Sequence, residues 1–159
     1  MRDPKHIRNE RGASSLNAEE HRESDIDRIR RILGRCGAIE GALAEIGNSE
    51  IEFIRNRMCQ WSCALVLSYI GEDSVKLSSE ITDSHPEIDW NCLSRCRKFT
   101  SHDYAGTHQS HLWRQLSNRI PMVRGQFEKL ACEIADMNVI SEQDAKEHIM
   151  VTLTQGGPK

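Results

Sequence analysis

Two runs of apolar residues, spaced alternately three and four apart, limit what this chain can become more than any other feature. Ile29, Ile32, Cys36, Ile39, Leu43 and Ile46 form the first run, and Ile51, Ile54, Met58, Trp61 and Leu65 form the second. A helix turns about 100° per residue, so this spacing gathers each run onto one stripe of a helix, whereas a half-buried strand needs strict alternation. No segment shows convincing strand alternation.

The punctuation agrees with helices. Ser24, followed by Asp25 and Asp27, reads as an N-cap with acidic residues at the positive end of the helix dipole, and Gly47-Asn48 reads as its stop. Ser49 and Glu52 have capping-box spacing, and the second helix is expected to run to about Ile70-Gly71. The stretch from Ser74 to Thr82, carrying Val75, Leu77 and Ile81, is a loop or short helix that His85-Pro86 breaks. Asp89 can cap a third long helix reaching about Ser101, and Ala105-Gly106-Thr107 is a turn. A fourth helical segment starts near His108 and continues to about Ala135, with Pro121 marking a kink or a fresh start, and Ser141 caps a last short helix. The expected fold is an all-α, up-and-down bundle of four to five helices.

At 159 residues the chain holds one domain. Residues 24–135 carry the helical domain; 1–23, charged and poor in large apolar residues, is an N-terminal extension expected to be disordered, and 136–159 is a C-terminal extension with a short helix. The net charge of −3 excludes a wholly basic nucleic-acid coat. No apolar run approaches a membrane span, and the start of the chain lacks the apolar core of a secretory signal, so the expected location is cytoplasmic. In that compartment the six cysteines are thiols.

Charge is unevenly placed. Between Asn91 and Lys129 seven basic residues (Arg95, Arg97, Lys98, Arg114, Arg119, Arg124 and Lys129) face only Asp103 and Glu128. The window carries 7 − 2 = +5, leaving −8 for the rest of the chain. Such a split suits a surface that meets phosphates. Within it, Arg97 and His102 lie near the end of the third helix, where fraying can bring them together. Arginine supplies a permanent planar cation able to hold two phosphate oxygens, and histidine supplies a proton donor or acceptor near neutral pH.

Other polar and aromatic groups have plainer readings. Cys59-x3-Cys63 and Cys92-x3-Cys96 could bring four thiolates together around zinc, but zinc knuckles use Cys-x2-Cys, and buried packing is the better account. His108 and His111 share a helix face with no acidic or thiol ligand nearby, so no metal and no cofactor is expected. Trp61, Trp90 and Trp113 read as core or dimer-interface anchors.

Arg97-x4-His102-x-Tyr104 resembles the signature of the HEPN superfamily, specifically its HepT-like toxin branch. The likeness extends to Ile70-Gly71-Glu72 with Lys76-Leu77-Ser78, to His85-Pro86-Glu87-Ile88-Asp89-Trp90, and to Asp103-Tyr104-Ala105-Gly106, Leu112-Trp113 and Asn118-Arg119-Ile120-Pro121. As an ordered set over roughly residues 24–135 it is specific. The resemblance implies a HEPN-like homodimer acting as a metal-independent endoribonuclease, the toxin of a type VII-like toxin–antitoxin pair. It implies that Arg97 and His102 are catalytic across a cleft at the dimer interface. It further implies a partner antitoxin of the MNT-type nucleotidyltransferase class that silences the toxin by AMPylation of Tyr104. Arg95, Lys98, Arg114 and Arg119 are candidates for extending the RNA track.

The chemistry is reasonable in its own right. RNA brings its own nucleophile, the 2′-OH, so an enzyme needs only to align it, move a proton and offset charge on the phosphorane. Lys98 departs from the family pattern, in which a small polar residue such as Asn often follows the arginine. That departure keeps open a second reading, a non-catalytic HEPN-type module that binds RNA or nucleotides.

Overall fold

The computed structural model describes the backbone of residues 5–100 and 109–155 and the side chains of 25–98 and 109–137. His102 and Tyr104, the turn at Ala105-Gly106-Thr107 and the start at His108 lie outside the described residues. Among the described residues the chain is helical with no strand. Helix α1 spans Lys5–Glu45, α2 Glu50–Arg55, α3 Arg57–Ser74, α4 Ser79–Ser84 and α5 Trp90–Cys96. A 3₁₀ turn covers Arg97–Thr100; α6 is Gln109–Arg114, a π-helical turn covers Gln115–Arg119, and α7 is Ile120–Gln155. The all-α bundle is built by α1 packing on α3 and α7, with α5 and the 3₁₀ turn laid against α3.

The first stripe behaves as its spacing predicts: Ile29, Ile32, Cys36, Ile39 and Leu43 are buried in one core with Phe53, Leu67, Ile70, Leu116, Phe127 and Leu130. Helix α1 stops at Gly47 and Asn48, both at positive φ, where the Asn48 N–H donates to the Leu43 carbonyl at 2.8 Å. That is a left-handed helix stop, which glycine and asparagine tolerate best. Ser49 caps α2 as expected, its hydroxyl accepting from the Glu52 N–H.

Several boundaries differ from the sequence reading. Helix α1 begins at Lys5 rather than at Ser24, so Ser24 is internal to the helix and not its first turn; the preceding stretch is rich in Glu, Arg and Ala, which carry a helix well. The expected single helix over 50–70 is broken at Asn56, whose side-chain oxygen accepts from the Cys59 N–H at 3.0 Å and starts α3 afresh. Helix α3 then runs past Gly71 to Ser74. The third helix is short: Asp89 caps it, accepting from Cys92 N–H at 2.9 Å, but α-geometry ends at Cys96 and the backbone tightens from Arg97 on. Pro121 lies in the first turn of α7, which continues through Ser141 instead of stopping near Ala135. The π turn immediately before it has a direct cause. Proline has no N–H for the Ser117 carbonyl and its ring crowds that oxygen, so the backbone widens there.

Every buried side chain among the described residues lies between Asp25 and Ile134. The most tightly held charge is Asp73 on α3. Arg31 grips it through two bonds of 3.1 Å, and Arg35 bonds it as well while lying over the Tyr69 ring at 5.2 Å. Burial pushes the Asp73 carboxyl up, but the two guanidiniums outweigh it and hold the group below the usual carboxylate range. A carboxylate with a lowered folded pKa adds stability above its unfolded pKa of about 3.9, and that contribution fades as pH falls through the folded value. Asp73→Asn is therefore expected to lower stability by about 1–2 kcal/mol at pH 7. In urea titrations the gap to wild type should narrow below about pH 4; a gap independent of pH would show that the carboxylate charge is not what binds α1 to α3.

Candidate functional site

The site is built where the exit of α3 meets the end of α5. Three features fix α5 in place. Asp89 caps it, the Trp90 indole N–H donates to the His85 carbonyl at 2.9 Å, and the Trp90 ring stands edge-on to Phe127 with centroids 6.0 Å apart. Leu93 and Cys96 are buried against the core, so the next residue, Arg97, emerges where the chain turns from the core to solvent.

Gly71 sets how closely the two segments approach. A Cβ at this buried position of α3 would fall 2.8 Å from both Arg97 N and Leu93 O, and 2.9 Å from Arg97 Cγ. Only a residue without a side chain lets α3 pass so near the backbone of Arg97. The next residue, Glu72, takes the Arg97 side chain: Arg97 Nε donates to Glu72 Oε1 at 2.7 Å, with both side chains partly open to solvent.

In sequence, Gly71 and Glu72 read only as a helix exit, with no role at the site. An isolated glycine inside an apolar helix is a signal of close packing and could have marked Gly71. Nothing in the spacing marks Glu72, which is 25 residues from the arginine it binds.

The other predicted residues are placed unevenly. Arg95 and Lys98 flank Arg97 and are exposed. Arg114 is exposed at the end of α6, while Arg119 lines a groove with Asp89, Cys92 and Met122, at the opposite end of α5 from Arg97. Arg97 and Arg119 are thus not brought together within one protomer. Arg124, part of the basic window, is tied to Glu40 and to Glu128, so its charge is answered locally.

The second apolar stripe faces outward. Ile51, Met58, Trp61, Leu65 and Tyr69 are all exposed, Met58 by 66% and Trp61 by 48%, while Phe53, Cys63, Ala64, Leu67 and Ile70 supply the core face of the same segment. Trp61 is therefore no core anchor; Trp90 and Trp113 pack partly buried against the core. At about 100° per residue, Met58, Trp61, Leu65, Tyr69 and Glu72 fall within an arc of about 80°. The apolar stripe ends at the residue that holds Arg97.

Cys36, Cys63, Cys92 and Cys96 are buried packing residues, whereas Cys132 is exposed. Burial pushes the thiols of Cys36 and Cys63 up to about 12 and that of Cys96 to about 11, which keeps them protonated and weak as ligands or nucleophiles. Cys59 and Cys63 lie with their sulfurs 4.0 Å apart on α3, and no group of three or more His, Cys, Asp or Glu among the described residues converges on a metal position. Nor is any helix among them long and apolar enough to cross a membrane.

Residues 22–130 match the family described as "Ribonuclease HepT-like". The chain is 33% identical over 79 residues to a protein of Thermococcus cleftensis named "Probable ribonuclease HepT", covering 50% of this chain and 72% of that protein. Two proteins of Methanocaldococcus jannaschii named as candidate RNases are 29% identical over 83 residues and 27% over 85, covering 69% and 73% of their lengths and 52% and 54% of this chain. No solved structure matches.

Proposed function

This chain belongs to the HepT-like ribonuclease family of the HEPN superfamily, and from that premise we propose that it is a metal-independent endoribonuclease whose cleft forms between two copies. The observation that carries the reading is the placement of Arg97, a partly exposed guanidinium fixed at the end of an exposed apolar stripe.

A stripe of Met58, Trp61, Leu65 and Tyr69 left exposed along one helix face is the kind of apolar surface that marks an interaction site. A second copy covering it by two-fold symmetry makes an isologous interface, with Arg97 of both copies at its rim. RNA bound there meets two arginines and two copies of the His102 segment. In this reading one His102 takes the proton of the 2′-OH, whose oxygen attacks the phosphorus. Arg97 offsets charge on the phosphorane, and the P–O5′ bond breaks as the partner's His102 protonates the leaving oxygen. The product ends are a 2′,3′-cyclic phosphate and a 5′-OH, and DNA, which lacks the nucleophile, stays intact. Arg95 and Lys98 extend phosphate contact beside Arg97, with Arg114 and Arg119 lying farther along the protein.

The same reading makes the protein a growth-inhibiting toxin, with an MNT-type nucleotidyltransferase as its antitoxin. AMP on the Tyr104 oxygen would add bulk and a phosphate charge two residues from His102, pairing with arginine and excluding RNA.

The test is cleavage of a mixed RNA pool in EDTA by wild type, His102→Ala, and protein co-expressed with a nucleotidyltransferase encoded beside it. Wild type should cut and leave cyclic phosphate ends. His102→Ala should be slower by about 10²–10⁴-fold. The co-expressed protein should be inactive and heavier at Tyr104 by intact mass. A folded wild type with unmodified Tyr104 that binds RNA without cutting it overturns the enzyme and supports the binding module. The interface is read separately: Leu65→Asp should convert a dimer to a monomer in sedimentation, and a variant that sediments like wild type would place the interface elsewhere.

A further inference from the structure

We propose that Glu72 is a positioning residue for Arg97: it takes the guanidinium through Nε and so leaves the paired Nη groups turned toward a bound phosphate. This rests on the reading of Arg97 as the phosphate-binding cation. The bond is 2.7 Å and uses Nε, so the two Nη groups lie outside this contact. Arginine meets a phosphate through two parallel N–H groups, and a carboxylate on Nε fixes the plane of that fork while keeping its outer edge open.

The backbone of Glu72 is clamped from both sides. Gly71 before it lies against the backbone of Arg97 and Leu93, and Asp73 after it is locked to α1 by Arg31 and Arg35. The backbones of both residues are thus held in contact with each other, and the pair is pre-formed. Both side chains are partly exposed, and exposed pairs add little to stability. The arrangement therefore serves the orientation of Arg97 more than the fold. It also separates two effects of the carboxylate. Its oxygen orients the guanidinium, which favours turnover, whereas its charge repels RNA, which opposes binding.

The experiment uses the full chain carrying Glu72→Ala or Glu72→Gln, with kcat and KM measured on an RNA oligonucleotide in EDTA. Glu72→Ala should lower kcat by about ten- to a hundredfold, because the fork is no longer held in register, without raising KM. Glu72→Gln, which keeps an acceptor oxygen, should recover most of kcat. Both should melt within a few degrees of wild type. A Glu72→Ala enzyme with unchanged kcat, or one impaired only in KM, overturns the proposal. If wild type itself does not cleave, the ribonuclease reading fails on its own, and Glu72 is judged by NMR. The Arg97 Nε–H resonance, followed during titration with a 2′-deoxy oligonucleotide, should persist in wild type and Glu72→Gln and be lost in Glu72→Ala. An identical signal in all three overturns the role.

Discussion

Arg97→Ala is expected to cut RNA about 10²–10³-fold more slowly than wild type while folding and dimerising normally. The magnitude follows from what the guanidinium does in the proposed reaction: removing one pre-placed group that stabilises developing charge costs about that much in other enzymes. The fold should be indifferent. The side chain of Arg97 is 45% exposed, and among the described residues it is bonded to Glu72, itself 39% exposed. Arg97→Lys is the sharper variant. It restores the charge but not the planar fork, and a lysine ammonium at this point cannot take both Glu72 through one edge and a phosphate through the other. It should therefore recover RNA binding far better than turnover. The measurement is a single-turnover rate in EDTA, with circular dichroism and sedimentation as controls. An Arg97→Ala protein that cleaves at the wild-type rate would place the chemistry elsewhere.

Gly71→Ala is expected to destabilise the protein by about 1–3 kcal/mol and to slow cleavage with it. An alanine inside a helix ordinarily gains up to about 1 kcal/mol over glycine. At Gly71 that gain is overridden, because the added methyl would sit 2.8 Å from two backbone atoms, Arg97 N and Leu93 O, which cannot rotate aside. The segments must part, and overpacking of this kind costs about 1–3 kcal/mol. The shift falls on the residue that carries the proposed chemistry, so a displacement of about 1 Å should cost up to a hundredfold in rate. Gly34→Ala is the internal control. Gly34 sits exposed on α1, and a methyl added there would meet nothing within 4 Å, so alanine should raise stability by about 0.5–1 kcal/mol. Denaturant titrations of the two variants should move in opposite directions. If both stabilise, the close approach at Gly71 is not sterically binding.

The second stripe shows why sequence alone could identify a helix without orienting it. The segment from Ile51 to Ile70 has apolar residues on two sides. Ile51, Ile54, Met58, Trp61 and Leu65 have the cleaner periodicity, yet Phe53, Cys63, Ala64, Leu67 and Ile70 are the ones buried. Periodicity reports that an apolar face exists. Which of two faces meets the core depends on where α1 and α7 lie, and the other face is left exposed.

The helical class, the stop at Gly47-Asn48, the caps at Ser49 and Asp89 and the buried face of α1 were all determined locally. Each depends on residues within a turn or two of one another, and both the 3.6-residue period and capping chemistry act at that range. The Arg97–His102–Tyr104 motif is equally local, and the family it resembles is the one to which the chain belongs. Tertiary structure alone decided that α5 gives way to a 3₁₀ turn at Arg97, that Gly71 is a point of contact rather than a helix end, and that Glu72 holds the arginine. Those outcomes come from backbones passing within van der Waals contact across 25 residues of chain. A distance of that kind is set by how the helices pack, and no spacing within a single segment encodes it.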